Sequence, residues 1–283
     1  MSLNEFMQMD LKRFEPSDED IEKMLQESFE EQRSDLNNYS YWFPKVEKCG
    51  YYKDGFKIAL SRIYQIDFAQ FKNFVSDETF DLKSWKKYCD SKVKSLRSNE
   101  VFSIKNGTFS NKFDFSTCTS TKKEIHNKLR EISYVSMLFG AKGNTEFVVR
   151  DLIPFNDRET MTIYNGMPLR TEFRVFYNFD TNKIEHIHNY WDFKYCYPNI
   201  RNANDKVIFA KQHNIIEKSF QDKKAYVCNL VDQSMKTVSE LTGIWSIDIM
   251  FVEEKNEYYL IDMAIGKMSA YWNSCVKEME MRK

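Results

Sequence analysis

Glycine is scarce in this chain. With 8 glycines in 283 residues, it carries neither a G-x-G-x-x-G nor a G-x-x-x-x-G-K-[ST] run, which argues against the glycine-rich loops of dinucleotide-binding and Walker-type proteins. The six cysteines (Cys49, Cys89, Cys118, Cys196, Cys228, Cys275) are dispersed and form no C-x-x-C pair. That spacing fits neither a zinc knuckle nor a compact disulfide framework, and reduced thiols are expected. No apolar run is long enough to span a membrane, and Met1 to Glu15 is too polar for a signal peptide, so a cytoplasmic location is expected. Charge of one sign is also lacking: 41 Lys and Arg against 42 Asp and Glu leave a net charge of −1. No overall basic field therefore argues for nucleic acid or a membrane surface, although a local basic cleft remains open. Internal repeats and low-complexity tracts are absent, and no Ser/His/Asp or Cys/His arrangement supports covalent hydrolysis.

Aromatic residues, by contrast, are abundant, with 23 Phe, 16 Tyr and 5 Trp, as in a packed globular protein. The length allows one large domain or two smaller ones. Residues 17 to 33 have the pattern of an acidic amphipathic helix, with acids near its N-terminus as the helix dipole prefers. Tyr39 to Pro44 is an aromatic cluster closing on a proline, read as a packed loop or an exposed binding patch. Asp81 to Leu96 has helical spacing, and Ser98-Asn99 marks a soft boundary. Val101 to Ile104 is β-like, and after the flexible run Asn106 to Asn111 the stretch Lys112-Phe-Asp-Phe115 reads as a second strand. Thr121-Lys-Lys-Glu124 has capping-box form and opens a helix that stops near Gly140. Strands are expected at 147–153, within 168–177 and at 183–193. Arg201 to Phe220 is polar without a clear period and reads as a mobile connection, with a helix from about 222 to 241. The mixture lacks regular βαβ alternation, so the expected class is α+β.

Asp248 in Trp245-Ser-Ile-Asp-Ile-Met-Phe251 and Asp262 in Tyr258-Tyr-Leu-Ile-Asp262 each interrupt an apolar strand pattern, where a carboxylate is costly to bury uncompensated. Lys255-Asn256 looks like the turn of a hairpin that would set the two carboxylates side by side. Neighbouring carboxylates repel unless a cation or a shared proton lies between them. Upstream, Lys105, Arg150 and Arg174 punctuate β runs in the same way. Five such positions suggest a site for a polyanion and a divalent metal. The alternative is a set of internal ion pairs between strands. Lys105 and Lys112 flank a small glycine-containing turn that could fold over phosphates, or could be a Lys-rich exposed turn. His186 and His188 alternate on one strand and could share a metal, but lack a nearby third ligand. Lys211 and Lys218 could contact a substrate or belong to a solvated loop.

Taken in order, Lys105, the loop ending at Lys112, a helix, Val148-Val-Arg-Asp-Leu-Ile153, Glu172-Phe-Arg-Val-Phe176, Asp248 and Asp262 resemble the ATP-grasp fold. The pairing of Arg150 with Glu172-Phe-Arg174 is similar to the clade of that superfamily defined by two arginines and a lysine, frequent in phages and bacteria. It is also similar to the eukaryotic ATP-grasp-like assembly factor of translation initiation factor 2. The resemblance covers roughly residues 98 to 270 and rests on order and spacing. It implies two α+β subdomains whose antiparallel sheets clamp a nucleotide, over residues 99–153 and 154–283. A partly helical N-terminal α/β region over 1–98 precedes them. It further implies ATP and Mg²⁺ as cofactors, with Lys105 and Lys112 on the phosphates and Arg150, Asp151, Leu152 and Ile153 at the adenine. Arg174 would face the phosphates or the acyl-phosphate-forming end, and Asp248 with Asp262 would hold the metal. The implied activity is ligation of a small-molecule or peptide carboxylate to an amine or other nucleophile. The alternative is an ATP-binding assembly factor or chaperone that docks a protein partner without turnover. One departure stands out: Ala264 occupies the position where many ATP-grasp enzymes carry Asn, and the last acid is Asp rather than the more usual Glu.

Overall fold

The computed structural model of the chain describes residues 16–48, 55–75, 80–141, 144–153, 155 and 160–269. In chain order the elements are α1 (Asp18–Arg33), α2 (Tyr39–Val46), β1 (Lys57–Ile58), β2 (Ser61–Gln65), α3 (Phe68–Val75), α4 (Leu82–Lys92), β3 (Val101–Asn106), a 3-10 segment (Lys112–Thr117), β4 (Thr119–Thr121), α5 (Ile125–Leu138) and β5 (Glu146–Asp151). They continue with β6 (Thr162–Ile163), β7 (Met167–Pro168), β8 (Glu172–Asn178), β9 (Lys183–Asn189), α6 (Phe193–Cys196), α7 (Ala203–Met235), β10 (Ile244–Val252) and β11 (Glu257–Ile265). One sheet has the order β2-β5-β3-β4, another β1-β11-β10-β8-β9, and β6 pairs with β7 alone. Among the described residues, every pairing apart from the parallel β1–β11 pair is antiparallel. The expected α+β class with two antiparallel sheets is the observed one.

Alternation along the strands separates core from cleft. On the five-stranded sheet, Phe173, Val175, Tyr177, Ile247 and Ile249 join one hydrophobic core with Phe220, Val227 and Val231 of α7. Their even-numbered neighbours, Glu172, Arg174, Ser246 and Asp248, occupy the opposite face. In the four-stranded sheet, Phe102, Ile104, Phe147 and Val149 pack on Trp85 of α4 and Leu129 of α5. Lys105 and Arg150 emerge from its other side. Residues before 98 enter both sheets, since β1 pairs with β11 and β2 with β5.

Three segments differ from their expected form. Tyr39 to Pro44 lies in helix α2, where Tyr39, Trp42 and Phe43 are buried; packing overrides the proline near its end. Lys112 to Phe115 is 3-10 rather than extended. Arg201 to Phe220 is no mobile connection but mostly the first half of the 33-residue α7. Its buried apolar positions, Phe209, Ile216, Phe220, Val227, Leu230, Val231 and Met235, recur mostly at spacings of three, four or seven and form a stripe. Polar residues around that stripe mask the period. Lys211 and Lys218 lie exposed on this helix. Among the described residues no helix is long and apolar enough to cross a membrane. Cys89, Cys118, Cys196 and Cys228 are free thiols, while Cys49 and Cys275 fall outside the described residues.

Helix α7 is capped by Asn202, whose side chain accepts from the amides of Asn204 at 2.8 Å and Asp205 at 3.2 Å. Asn202→Ala should cost about 1 kcal/mol of stability, read as a lowered urea midpoint at constant m-value.

Candidate functional site: a cleft between two sheets

The floor of the cleft is a cross-strand row. His188, Arg174, Asp248 and Asp262 are successive register partners on β9, β8, β10 and β11. Side chains directly opposite on one sheet face meet, so the hairpin does set the two carboxylates side by side. Each also has a cation on its far side. Arg174 grips Asp248 with two bonds, Nε to Oδ1 at 2.7 Å and Nη2 to Oδ2 at 2.6 Å, both side chains being 9% exposed. Lys105, reaching over from the four-stranded sheet, donates to both oxygens of Asp262 at 2.9 and 2.8 Å. Lys105 is 3% exposed and Asp262 37%. The carboxylates tolerate their proximity because Arg174 and Lys105 bracket the pair, one cation on each side.

A β-bulge sharpens this floor. Asp248 pairs with Asp262 but Ile249 pairs with Leu260, so Ile261 is the extra residue. Leu260 and Met263 consequently both point into the core, while Ile261 and Asp262 both line the cleft. The Ile261 carbonyl accepts from Arg150 Nη1, a second tie between the sheets. Tyr39 of α2 lies behind both cations, its ring centroid 5.6 Å from Lys105 Nζ and 5.9 Å from Arg150 Cζ. Its hydroxyl bonds Ser61 Oγ at 2.9 Å.

Electrostatics follow from burial and these partners. Burial pushes the Asp262 carboxyl up, but Lys105, then Arg150 and Lys112, outweigh it and hold the group below the usual carboxylate range. Burial lowers the Lys112 ammonium, and Arg174 adds to the effect; its Nζ lies 4.1 Å from the Tyr190 ring centroid, with Arg174 Cζ at 4.7 Å from the same ring. Burial, reinforced by Arg174 and His186, drives the His188 imidazole down to about 3, so it is neutral near pH 7. Glu172 is 7% exposed, and burial raises its carboxyl to about 7 despite the attraction of Lys112.

The structure thus brings Lys105, Lys112, Arg150, Asp151, Leu152, Ile153, Asp248 and Asp262 to one cleft lining, with Arg174 bound to Asp248 at its base. Asp151 is paired with Arg62 at 2.8 Å. Sequence reasoning passed over Glu172 and Trp191, which line the same space; the even register with Arg174 was the available signal for Glu172. The run expected to be flexible, Asn106 to Asn111, is anchored at its start. Asn106 is buried and donates to Asn144 Oδ1 at 2.6 Å. A Cβ on Gly107 would meet Asn38 Oδ1 at 2.6 Å and Glu146 Cγ at 2.7 Å. Close approach, not a left-handed backbone, calls for glycine here. His186 and His188 have rings 5.4 Å apart, but among the described residues no group of three or more His, Cys, Asp or Glu is arranged to hold a metal.

The chain matches no family profile and no curated protein. Among solved structures it is similar to Cdc123 from Schizosaccharomyces pombe at 14% identity and a TM-score of 0.46, covering 86% of this chain and 89% of that one. It is similar to a RimK-domain ATP-grasp protein from Sphaerobacter thermophilus at 7% identity and a TM-score of 0.38, covering 86% and 62%. A third is N5-carboxyaminoimidazole synthetase from Staphylococcus aureus complexed with ADP, at 8% identity and a TM-score of 0.38, covering 81% and 43%. The likeness is one of chain layout alone.

The raised carboxyl of Glu172 carries a sign that can be measured. Its folded value of about 7 exceeds the ordinary 4.5, so the native state binds the proton more tightly and loses stability as pH rises between the two values. Glu172→Gln should therefore raise the unfolding midpoint at about pH 8 while leaving it near wild type at about pH 5. An equal gain at both pH values would show that the carboxyl is not buried as described.

Proposed function

We propose that the cleft binds ATP with Mg²⁺ and joins a carboxylate to an amine or another nucleophile through an acyl phosphate. The observation carrying this proposal is the charge arrangement. Lys105, Lys112, Arg150 and Arg174 face Asp248 and Asp262, with Glu172 close to half-protonated at neutral pH. With Asp151 met by Arg62, the four cations outnumber Asp248, Asp262 and the partly protonated Glu172, a positive surplus suited to a polyphosphate. Two adjacent carboxylates beside that surplus suit a hard divalent cation, which takes its remaining oxygens from phosphates and water. The donor chemistry therefore fits Mg²⁺, and that ion would supply charge neutralisation at the transferred phosphoryl group.

The chain's own groups would divide the work. Lys105 and Lys112 meet phosphate as point charges, and Arg174 as a fork. Arg150, Asp151, Leu152 and Ile153 line the cleft together with the apolar Ala59, Met167, Pro168 and Met250, a lining suited to adenine. Arg174 and Lys112, both against Tyr190, would orient the carboxylate beside the γ-phosphate, a contribution of positioning and electrostatics. These roles assign residues 99–153 to the lid of the site and 154–283 to its metal-holding part.

A second function, an ATP-binding factor that docks a protein partner without ligase turnover, is favoured by Ala264. That residue sits on β11 opposite Ser246 and offers no side-chain oxygen where a metal contact is usual. Release of ADP and phosphate that depends on a carboxylate from an amino-acid panel would support the ligase. Saturable ATP binding without carboxylate-dependent turnover would support the docking factor.

The site itself is tested by binding. Lys105→Met and Asp262→Asn should each weaken Mg·ATP affinity by roughly tenfold or more in calorimetric titration. Asp262→Asn is the cleaner carboxylate variant, because the Asp262 side chain is 37% exposed against 9% for Asp248. Asp248→Asn breaks a buried bidentate pair and should destabilise the fold by roughly 3–5 kcal/mol, rather than relieve repulsion. Unchanged nucleotide affinity in both Lys105→Met and Asp262→Asn would remove the cleft as the nucleotide site.

A further inference from the structure

We infer that the β6–β7 hairpin sets the position of Lys112 over the cleft, with Asn165 and the Tyr164 carbonyl as the positioning groups. The inference rests on the nucleotide-binding function proposed above and deepens it. Lys112 lies on the connection between β3 and β4 of the four-stranded sheet, yet its ammonium sits against Tyr190, just past the end of β9 on the other sheet. The 3-10 segment alone does not hold that reach, because Asp114 breaks it with φ −136° and ψ 83°.

The hairpin tip supplies the restraint. Phe115 N–H donates to the Tyr164 carbonyl at 2.7 Å. Asn165 Nδ2 donates to Asp114 Oδ1 at 3.0 Å, and the Phe113 and Tyr164 rings meet edge-on at 5.4 Å. Tyr164, Asn165 and Gly166 form three consecutive left-handed residues, with φ of 51°, 58° and 109°. A tyrosine holds that conformation only where its surroundings over-determine it. The tip is in turn anchored to the floor side: Tyr164 N–H donates to Asp205 Oδ2 at 2.9 Å in the first turn of α7. Thr160 Oγ1 donates to Glu254 Oε1 at 3.0 Å, beyond the end of β10. Contacts thus run from α7 through the hairpin to the residues just after Lys112. Met167 and Pro168, on the hairpin's second strand, line the cleft.

Asn165 is exposed, so Asn165→Ala removes the Asp114 bond without opening a core. In ligand-free protein, amide exchange at Phe115 should quicken in this variant. Mg·ATP affinity should fall roughly fivefold to twentyfold, a coupling of the size seen between residues in one network. In a Lys112→Met background the same change should cost nothing further, and the swap Asp114→Asn with Asn165→Asp should restore both exchange and affinity. Wild-type exchange and affinity in Asn165→Ala would overturn the inference. So would full additivity with Lys112→Met, since a merely structural loss would persist without the lysine. Should wild-type protein bind no nucleotide, the proposed function fails, and the exchange measurement still decides whether the hairpin fastens this segment.

Discussion

Everything in the cleft depends on one row of charge that no single sheet could hold. Asp248 and Asp262 are direct neighbours across β10 and β11, an arrangement that repulsion would break in isolation. Arg174 from within the sheet and Lys105 from the facing sheet bracket them. The five-stranded sheet therefore needs the four-stranded one to complete its electrostatics. The Lys105–Asp262 pair and the Arg150 bond to the Ile261 carbonyl are what bring the two sheets together at the site. A buried pair gains little net stability against its desolvation. Its value here is geometric, since it fixes where four cations and three acids sit relative to one another.

Much of this was legible in the chain. Charged residues interrupting apolar strand runs mark positions that must be compensated, and five such interruptions do converge in space. The hairpin was visible from Asn256, which adopts the left-handed conformation at φ 51° that turns demand. The bulge at Ile261 was not legible, because strict alternation places Leu260 and Asp262 on one face. Only the register of a finished ladder shows that an extra residue sends them to opposite sides. Helix α7 was half hidden for a different reason. In its first half only Phe209, Ile216 and Phe220 are buried, which gives a weak period, and the deciding interaction is contact with β8 and β9.

The N-terminal region carried no motif, yet it is built into the site. Within four residues, Asn37 accepts from the Ile265 amide at 2.8 Å, Asn38 faces Gly107, Tyr39 backs Lys105 and Arg150, and Ser40 donates to Glu146 at 3.1 Å. Those contacts reach both sheets and the start of the loop between Lys105 and Lys112. Such a role leaves no sequence signature, because Asn and Tyr at a helix start are ordinary capping and packing residues. Their meaning comes from what the fold places opposite them.

On the proposed function, the same pairs make the binding of nucleotide and metal interdependent. Lys105 already spends two of its three donors on Asp262, so the charge it turns to a phosphate is withdrawn from Asp262, and the charge Asp262 turns to a divalent ion is withdrawn from Lys105. A polyanion alone would leave Asp248 and Asp262 side by side without their cations. A metal alone would leave Lys105 and Arg174 buried without acids. Either half step exposes an uncompensated charge in a low-dielectric cleft, which costs several kcal/mol per ion. Both together exchange partners with every charge still met. The coupling between the two ligands is thus set by the pairs they displace, and by linkage it is the same whichever binds first.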